Sequence, residues 1–237
     1  LDGAKTKLSD ESVSGMKIGP DGRFYACQGA QKRLIAIDPA SGAVEVIATD
    51  VQPNDLAVTQ RGHIFFTETG KKQVTLVDAK TKEKRAADTG LANPNGITLS
   101  PDQGTLAVSE AGGEFVYAFR VQPDGTLDAK TPYMTLRRPI DPKGEFKFKA
   151  PPPYQKASRG DGMTSDSIGR YYVTSAVGVQ VFDPTGRLCG VLTKPQPDKP
   201  LTSCALSGSN REYLYVTNGD KIFRRKVQAV GKYVLAH

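Results

Sequence analysis

The stretch Asn54–Lys82, NDLAVTQRGHIFFTETGKKQVTLVDAKTK, decides the fold. Asn54 to Thr59 is a short apolar run that ends in the Arg61-Gly62 turn. His63 to Thr69 is rich in aromatic and β-branched residues. Gln73 to Asp78 alternates with a period of two, and Glu83 to Ala87 repeats that alternation more weakly. Four short antiparallel strands in roughly 40–45 residues make one blade of a β-propeller.

Four other segments follow the same plan. They are SGMKIGPDGRFYACQGAQKRLIAIDPASG from Ser14, NGITLSPDQGTLAVSEAGGEFVYAFRVQPDG from Asn95, DGMTSDSIGRYYVTSAVGVQVFDPTGR from Asp161 and SCALSGSNREYLYVTNGDKIFRRK from Ser203. Start-to-start spacings are 40, 41, 66 and 42 residues. The long interval holds RRPIDPKGEFKFKAPPPYQKASRG, whose Pro, Gly and Lys content reads as a surface loop inserted at about 137–160. Asp2 to Leu8 matches the region that closes each blade, as in Gly42 to Val46, and reads as the tail of a preceding blade. Five blades plus this remnant predict an all-β, six-bladed propeller, with residues 1–237 as a single domain.

Composition agrees with one packed unit. Of 237 residues, 24 are Gly and 16 are Pro, the turn-makers of an all-β chain, and 38% are apolar. No apolar run approaches the roughly 20 residues of a membrane span, so the chain reads as soluble, with its compartment open between cytoplasmic and periplasmic or secreted. The net charge of +7 comes from scattered basic residues that do not interleave with aromatics, which argues against a nucleic-acid partner. Cys27, Cys189 and Cys204 lie far apart in apolar runs and read as buried free thiols. The only histidines are His63 and His237. Chemistry that needs two imidazoles is therefore excluded, and no G-x-S-x-G elbow supports a serine triad. His63 opens a second strand at the end away from the expected site and reads as a turn residue.

In a propeller the first strand of each blade lines the channel, so residues at one phase of the repeat converge on the axis. Ser14, Asn54, Asn95, Asp161 and Ser203 head the five first strands. This ring of oxygen donors, without Cys or His, suits a hard divalent cation, with Ca2+ first and Mg2+, Mn2+ and Zn2+ as alternatives. Glu68 and Glu110 end second strands at a shared phase and read either as lining the mouth or as exposed strand-end carboxylates.

The segments Pro53-Asn54-Asp55-Leu56, Pro94-Asn95-Gly96-Ile97 and Gly160-Asp161-Gly162-Met163 resemble the gluconolactonase, senescence-marker protein and luciferin-regenerating enzyme family. IFFTET, LSPDQGTLAVSE and GRYYVTSAVGVQVFDPTGRLCGVL resemble it too, so that the likeness runs from about residue 13 to 225. The resemblance implies a six-bladed propeller that hydrolyses lactones with one divalent cation at the channel mouth. Asn95 and Asp161 match the family's metal ligands, and Asn54 matches an amide that meets the metal, its water or the substrate. The family's further Glu ligand, in a first-blade E-G-P motif, has no match in this sequence, which fits a first blade lying outside it. The expected function is lactone opening by metal-activated water, with Asp161 as the catalytic base and its nucleophilic attack as the rival role. Asn54, Ser14, Ser203, Glu68 and Glu110 are the candidate substrate contacts, and a small-molecule lactone is the expected partner. The segment Phe146 to Tyr154 reads as a lid or a passive loop. Alternatives are a phosphotriesterase-type hydrolase on the same scaffold, distinguished by substrate profile, and a non-catalytic binding propeller, distinguished by the lack of a tight metal site.

Overall fold

A computed structural model describes residues 7–78, 81–141, 143–145, 147, 154–155 and 157–232. Its strands form five antiparallel sheets, each built in chain order from the axis outward. The first is β1 (Met16–Ile18), β2 (Phe24–Gln28), β3 (Arg33–Ile37) and β4 (Val44–Thr49). The second is β5 (Leu56–Val58), β6 (His63–Glu68), β7 (Gln73–Asp78) and β8 (Lys84–Thr89), close to the elements expected from Asn54–Lys82. The third is β9 (Pro94–Leu99), β10 (Thr105–Glu110), β11 (Phe115–Val121) and β12 (Leu127–Thr135). The fourth is β13 (Met163–Ser165), β14 (Tyr171–Ser175), β15 (Gly178–Phe182) and β16 (Leu188–Leu192). The fifth has three strands, β17 (Leu201–Ser207), β18 (Tyr213–Asn218) and β19 (Lys221–Lys226).

The chain is thus a five-bladed β-propeller, and the expected six blades are corrected to five. A sixth sheet is absent among the described residues. Lys7 and Leu8 belong to no strand, and the rest of the proposed remnant, Asp2 to Thr6, lies outside the described residues. Matching one outer-strand pattern is a local signal, whereas a blade needs partner strands to satisfy its ladder.

Strand alternation turns successive side chains toward the two neighbouring blades, and the core is a stack of inter-blade layers. Tyr25, Cys27 and Leu34 meet Leu56, Ile64 and Phe66 between blades one and two. Phe65, Leu76 and Leu91 meet Ile97, Leu106 and Phe119 between two and three. Ala107, Val116 and Met134 meet Met163, Val173 and Phe182 between three and four, and Tyr172 and Val179 meet Cys204, Leu214 and Val216 between four and five. A cavity of about 380 Å3 follows the axis past Lys17, Ala57, Thr98, Thr164 and Ala205. Below it, Gly231 pairs with Asp166, and the Lys232 Nζ donates to Leu99 O at 2.6 Å.

Of the insertion, Ile140 pairs with Tyr154, whose ring lies 5.6 Å from the Arg138 guanidinium. Most of the expected lid, Phe146 and residues 148–153, lies outside the described residues.

Candidate active site at the channel mouth

Every inner strand begins with a two-against-one bulge. In blade two the Asn54 N–H donates to Thr67 O and the Thr67 N–H donates to Asp55 O, both at 2.9 Å, so that Asn54 and Asp55 together face Thr67. Ser14-Gly15 faces Cys27 in the same way, and Asp161-Gly162 faces Thr174. In blade three the register jumps from Ile97–Val108 to Pro94–Glu110, placing Asn95-Gly96 against Ser109. In blade five it jumps from Leu201–Asn218 to Ser203–Thr217, which makes Thr202 the extra residue. A bulge kinks the strand and re-aims the side chain of the inserted residue. The ring at this phase is therefore Ser14, Asn54, Asn95, Asp161 and Thr202. Ser203 stands one position on, level with Gly15, Asp55, Gly96 and Gly162.

The bulges of neighbouring blades touch. A Cβ added at Gly96 would lie 2.0 Å from Asp161 O, and one at Gly162 would lie 2.7 Å from Thr202 O. Only glycine allows this approach, which brings Asn95 beside Asp161 and Asp161 beside Thr202.

Two features mark the centre of the ring. Asn95 Oδ1 is buried and has no hydrogen-bond partner among the described residues. Such an atom loses its hydration without compensation unless a ligand meets it. Beside it, burial pushes the Asp161 carboxyl up to about 7; the Gly162 N–H, donating to Oδ1 at 2.9 Å, pulls the other way, and the Asp55 charge adds to the rise. Asp55 is buried, with Oδ1 accepting from Leu56 N and Oδ2 from Ile97 N. No cluster of three or more His, Cys, Asp or Glu occurs among the described residues, so any cation here relies on amide oxygens beside carboxylate. An orphaned amide oxygen and a desolvated carboxylate are a donor set that fits a hard cation.

The two glutamates lie elsewhere. Glu68 is buried, accepting from Gln52 N (2.8 Å), Gln73 Nε2 (2.9 Å) and Thr75 Oγ1 (2.6 Å) and pairing with Lys71 (2.8 Å). Burial opposes its ionisation, but Lys71 and these donors outweigh it and hold the carboxyl below its ordinary range. Glu110, also buried, accepts from Ala92 N. Both carboxylates tie down the loop that leads into their blade, and the reading as exposed strand-end groups is corrected. Asn218 does the same in blade five, with Oδ1 accepting from Gln196 N and Nδ2 donating to Pro200 O. His63 packs between blades two and three, its Nε2 3.3 Å from Pro123 O. Cys27 and Cys204 are buried thiols as expected, but Cys189 is exposed.

Sequence reasoning passed over Asp55, Thr67 and Ser109. Each was visible as the neighbour of a residue that it did single out: Asp55 follows Asn54, and Thr67 and Ser109 precede the two glutamates.

The profile of the SMP-30/Gluconolactonase/LRE-like region matches residues 2–220. The chain belongs to this family. The gluconolactonase of Zymomonas mobilis is 23% identical over 247 residues, covering 95% of this chain and 66% of its own length. The chain therefore spans just under two thirds of that relative. Among solved structures, a luciferin-regenerating enzyme superposes with a TM-score of 0.68 at 19% identity, over 94% of this chain and 80% of its own. A calcium-binding regucalcin from Agrobacterium tumefaciens superposes with a TM-score of 0.56 at 13% identity, over 93% and 92%. At such identities these structures share the fold with this SMP-30-like chain, and function has to be argued from the site.

Proposed function

We propose that the chain is a divalent-cation-dependent lactonase acting on a sugar lactone or a related small lactone. The observation that carries this reading is the Asn95–Asp161 pair, an orphaned amide oxygen beside a desolvated carboxylate at the head of bulged inner strands. Membership of the family and the Zymomonas gluconolactonase relative support it. Asn54, Asn95 and Asp161 would hold the cation, and their oxygen-only donors favour Ca2+. When bound, such a cation supplies Lewis acidity toward a lactone carbonyl and acidifies a water.

The remaining work falls to the chain. Asp161 Oδ1 is occupied by the Gly162 N–H, which leaves Oδ2 to take the proton of the attacking water. The same oxygen returns that proton to the ring oxygen as the lactone C–O bond breaks. Burial raises the proton affinity of this carboxyl in the cation-free chain, and a bound cation would lower it again. Asn95 stands beside Asp161 on the neighbouring blade, and Asn54, one blade further round, would contact the lactone.

Asp161→Asn should lower lactone turnover by at least ~100-fold, the scale of a lost general base, while calorimetry with CaCl2 on the wild-type chain shows a single site. Near-wild-type turnover in that variant would sink the assignment. Hydrolysis of phosphotriesters but not of lactones would transfer the site to the related hydrolase chemistry. A wild-type chain with neither turnover nor cation binding would leave a binding scaffold.

A further inference from the structure

The site residues are not held by their own blades alone. Thr67 Oγ1 accepts from the Asp55 N–H at 3.2 Å and donates across the blade boundary to Asn95 O at 2.6 Å. One blade further on, Ser109 Oγ accepts from the Gly96 N–H at 2.9 Å and donates to Asp161 O at 2.9 Å. The two hydroxyls occupy the same register position, each opposite a bulge, and both are fully buried. Each accepts a hydrogen bond from the N–H of the second residue of its own bulge and donates one to the main-chain carbonyl of the next blade's site residue.

Among the described residues the pattern occurs at these two boundaries alone. In blade one the equivalent residue is Cys27, and it is Ser14 Oγ that donates to Asn54 O at 2.8 Å. In blade four the equivalent hydroxyl, Thr174 Oγ1, turns back to Gly162 O of its own blade at 2.8 Å. The side-chain ties from Thr67 and Ser109 therefore connect Asn54-Asp55 to Asn95 and Asn95-Gly96 to Asp161, the three blades that carry the proposed cation ligands.

We propose that Thr67 and Ser109 are positioning residues that set the spacing of Asn54, Asn95 and Asp161. The inference rests on the lactonase reading for its purpose but not for its test. Each hydroxyl has one proton, and its shorter acceptor lies on the next blade, at 2.6 Å for Thr67 and 2.9 Å for Ser109, against 3.4 Å to the carbonyl of its own bulge, Asp55 O or Gly96 O. Removing the hydroxyl frees two bulges to slide against each other. Inter-blade hydrogen bonding in general is not enough. Ser165 Oγ also crosses a blade boundary, donating to Leu99 O at 2.7 Å, but at the far end of the inner strand.

The test compares Thr67→Val and Ser109→Ala with Ser165→Ala as the control, and with Thr67→Ser and Ser109→Thr as rescues. The first readout is the side-chain amide NMR signals of Asn54 and Asn95 in the metal-free chain, assigned from their loss in Asn54→Asp and Asn95→Asp. Thr67→Val should displace or broaden both signals and Ser109→Ala the Asn95 signal, while Ser165→Ala leaves both in place. The hydroxyl-preserving variants should restore them. The second readout is CaCl2 calorimetry, where each hydroxyl deletion should weaken binding by about 10–100-fold, as loss of an outer support does. Unchanged amide signals in Thr67→Val and Ser109→Ala overturn the proposal, and so does an equal response in Ser165→Ala. A wild-type chain without turnover overturns the lactonase reading, and the amide signals still decide the positioning role. Should Thr67→Val fail to fold, the smaller Ser109→Ala change and the Thr67→Ser comparison decide it.

Discussion

At the scale of the residue, Asp161 shows why a site is a place of stored instability. Folding takes its carboxyl from an ordinary value near 3.8 up to about 7, chiefly through burial. The folded chain therefore keeps a proton that the unfolded chain has released between those two values. Stability from this group is complete at low pH, falls as the pH rises toward 7, and is constant above it. A rise of that size is worth at most about 4 kcal/mol, and partial exposure of the side chain reduces it to roughly 1–3 kcal/mol. Asp161→Asn should therefore melt higher than wild type at pH 8 in the presence of a chelator and level with it at pH 3.5. Melting curves at the two values check this, and an unchanged gap between them would remove the desolvation argument. The thiols give a second prediction at this scale. Cys189 is exposed whereas Cys27 and Cys204 are buried, with burial pushing the Cys204 thiol up to about 12. A thiol reagent should thus modify one cysteine in the native chain and three in denaturant, counted by intact mass. Modification of all three under native conditions would contradict the inter-blade layers that enclose the other two.

Among the elements, the second strands of blades two, three and five do two jobs at their ends. The last residue anchors the incoming loop, and the one before it opposes the bulge: Glu68 after Thr67, Glu110 after Ser109, Asn218 after Thr217. Glu68→Ala strands the Gln52 N–H and the Thr75 hydroxyl and leaves Lys71 without its partner, which should cost roughly 2–4 kcal/mol. Because the Glu68 carboxyl is held below its ordinary range, that contribution is present above pH 4.5 and disappears as acid protonates it. Denaturant melts at pH 7 and pH 3 should show the gap between wild type and Glu68→Ala narrowing in acid; a gap that stays wide would mean that packing, not charge, carries it. These elements also show what could be read in advance. Alternation and turn residues are local, so the strands from Leu56 to Thr89 and the phase of Asn54, Asn95 and Asp161 were legible. The choice between Thr202 and Ser203 was not, because a bulge moves the register by one residue without disturbing the apolar pattern. The burial of Glu68 and Glu110 was equally hidden, since their partners, the Gln52 and Ala92 N–H groups, come from loops that carry no signal of their own.

For the whole molecule, the order of the blades predicts how it comes apart. Inner strand packs on inner strand from β1 to β5, β5 to β9, β9 to β13 and β13 to β17, but no comparable packing joins β17 to β1 among the described residues. Among the described residues, blades two, three and four are closely packed on both faces, whereas blades one and five each have one closely packed neighbour. The exposure follows: Met16 and Ile18 on β1 are each 47% exposed and Ile222 on β19 is 72% exposed, while Ile97, Leu106 and Val108 at the centre are fully buried. A sheet packed on one face loses half of the apolar burial that holds its ladder against opening, as in the end units of a repeat array. The seam also explains why blade number escaped the sequence, because closure depends on the two chain-distant faces and leaves no trace in any one repeat. Local opening should therefore begin in β1–β4 and β17–β19 and reach β9–β14 last. Hydrogen exchange followed by mass spectrometry should show the amides of β2 and β18 exchanging before those of β6, β10 and β14, by at least ~10-fold in rate for a difference of about 1.4 kcal/mol in opening free energy. The Asn95–Asp161 boundary lies in the slow region, so a cation bound there should slow β9 and β13 further and leave β18 unchanged. Uniform exchange across all five sheets would mean that blades one and five are closed against each other in solution, and the seam between β1 and β17 would then have to be redrawn.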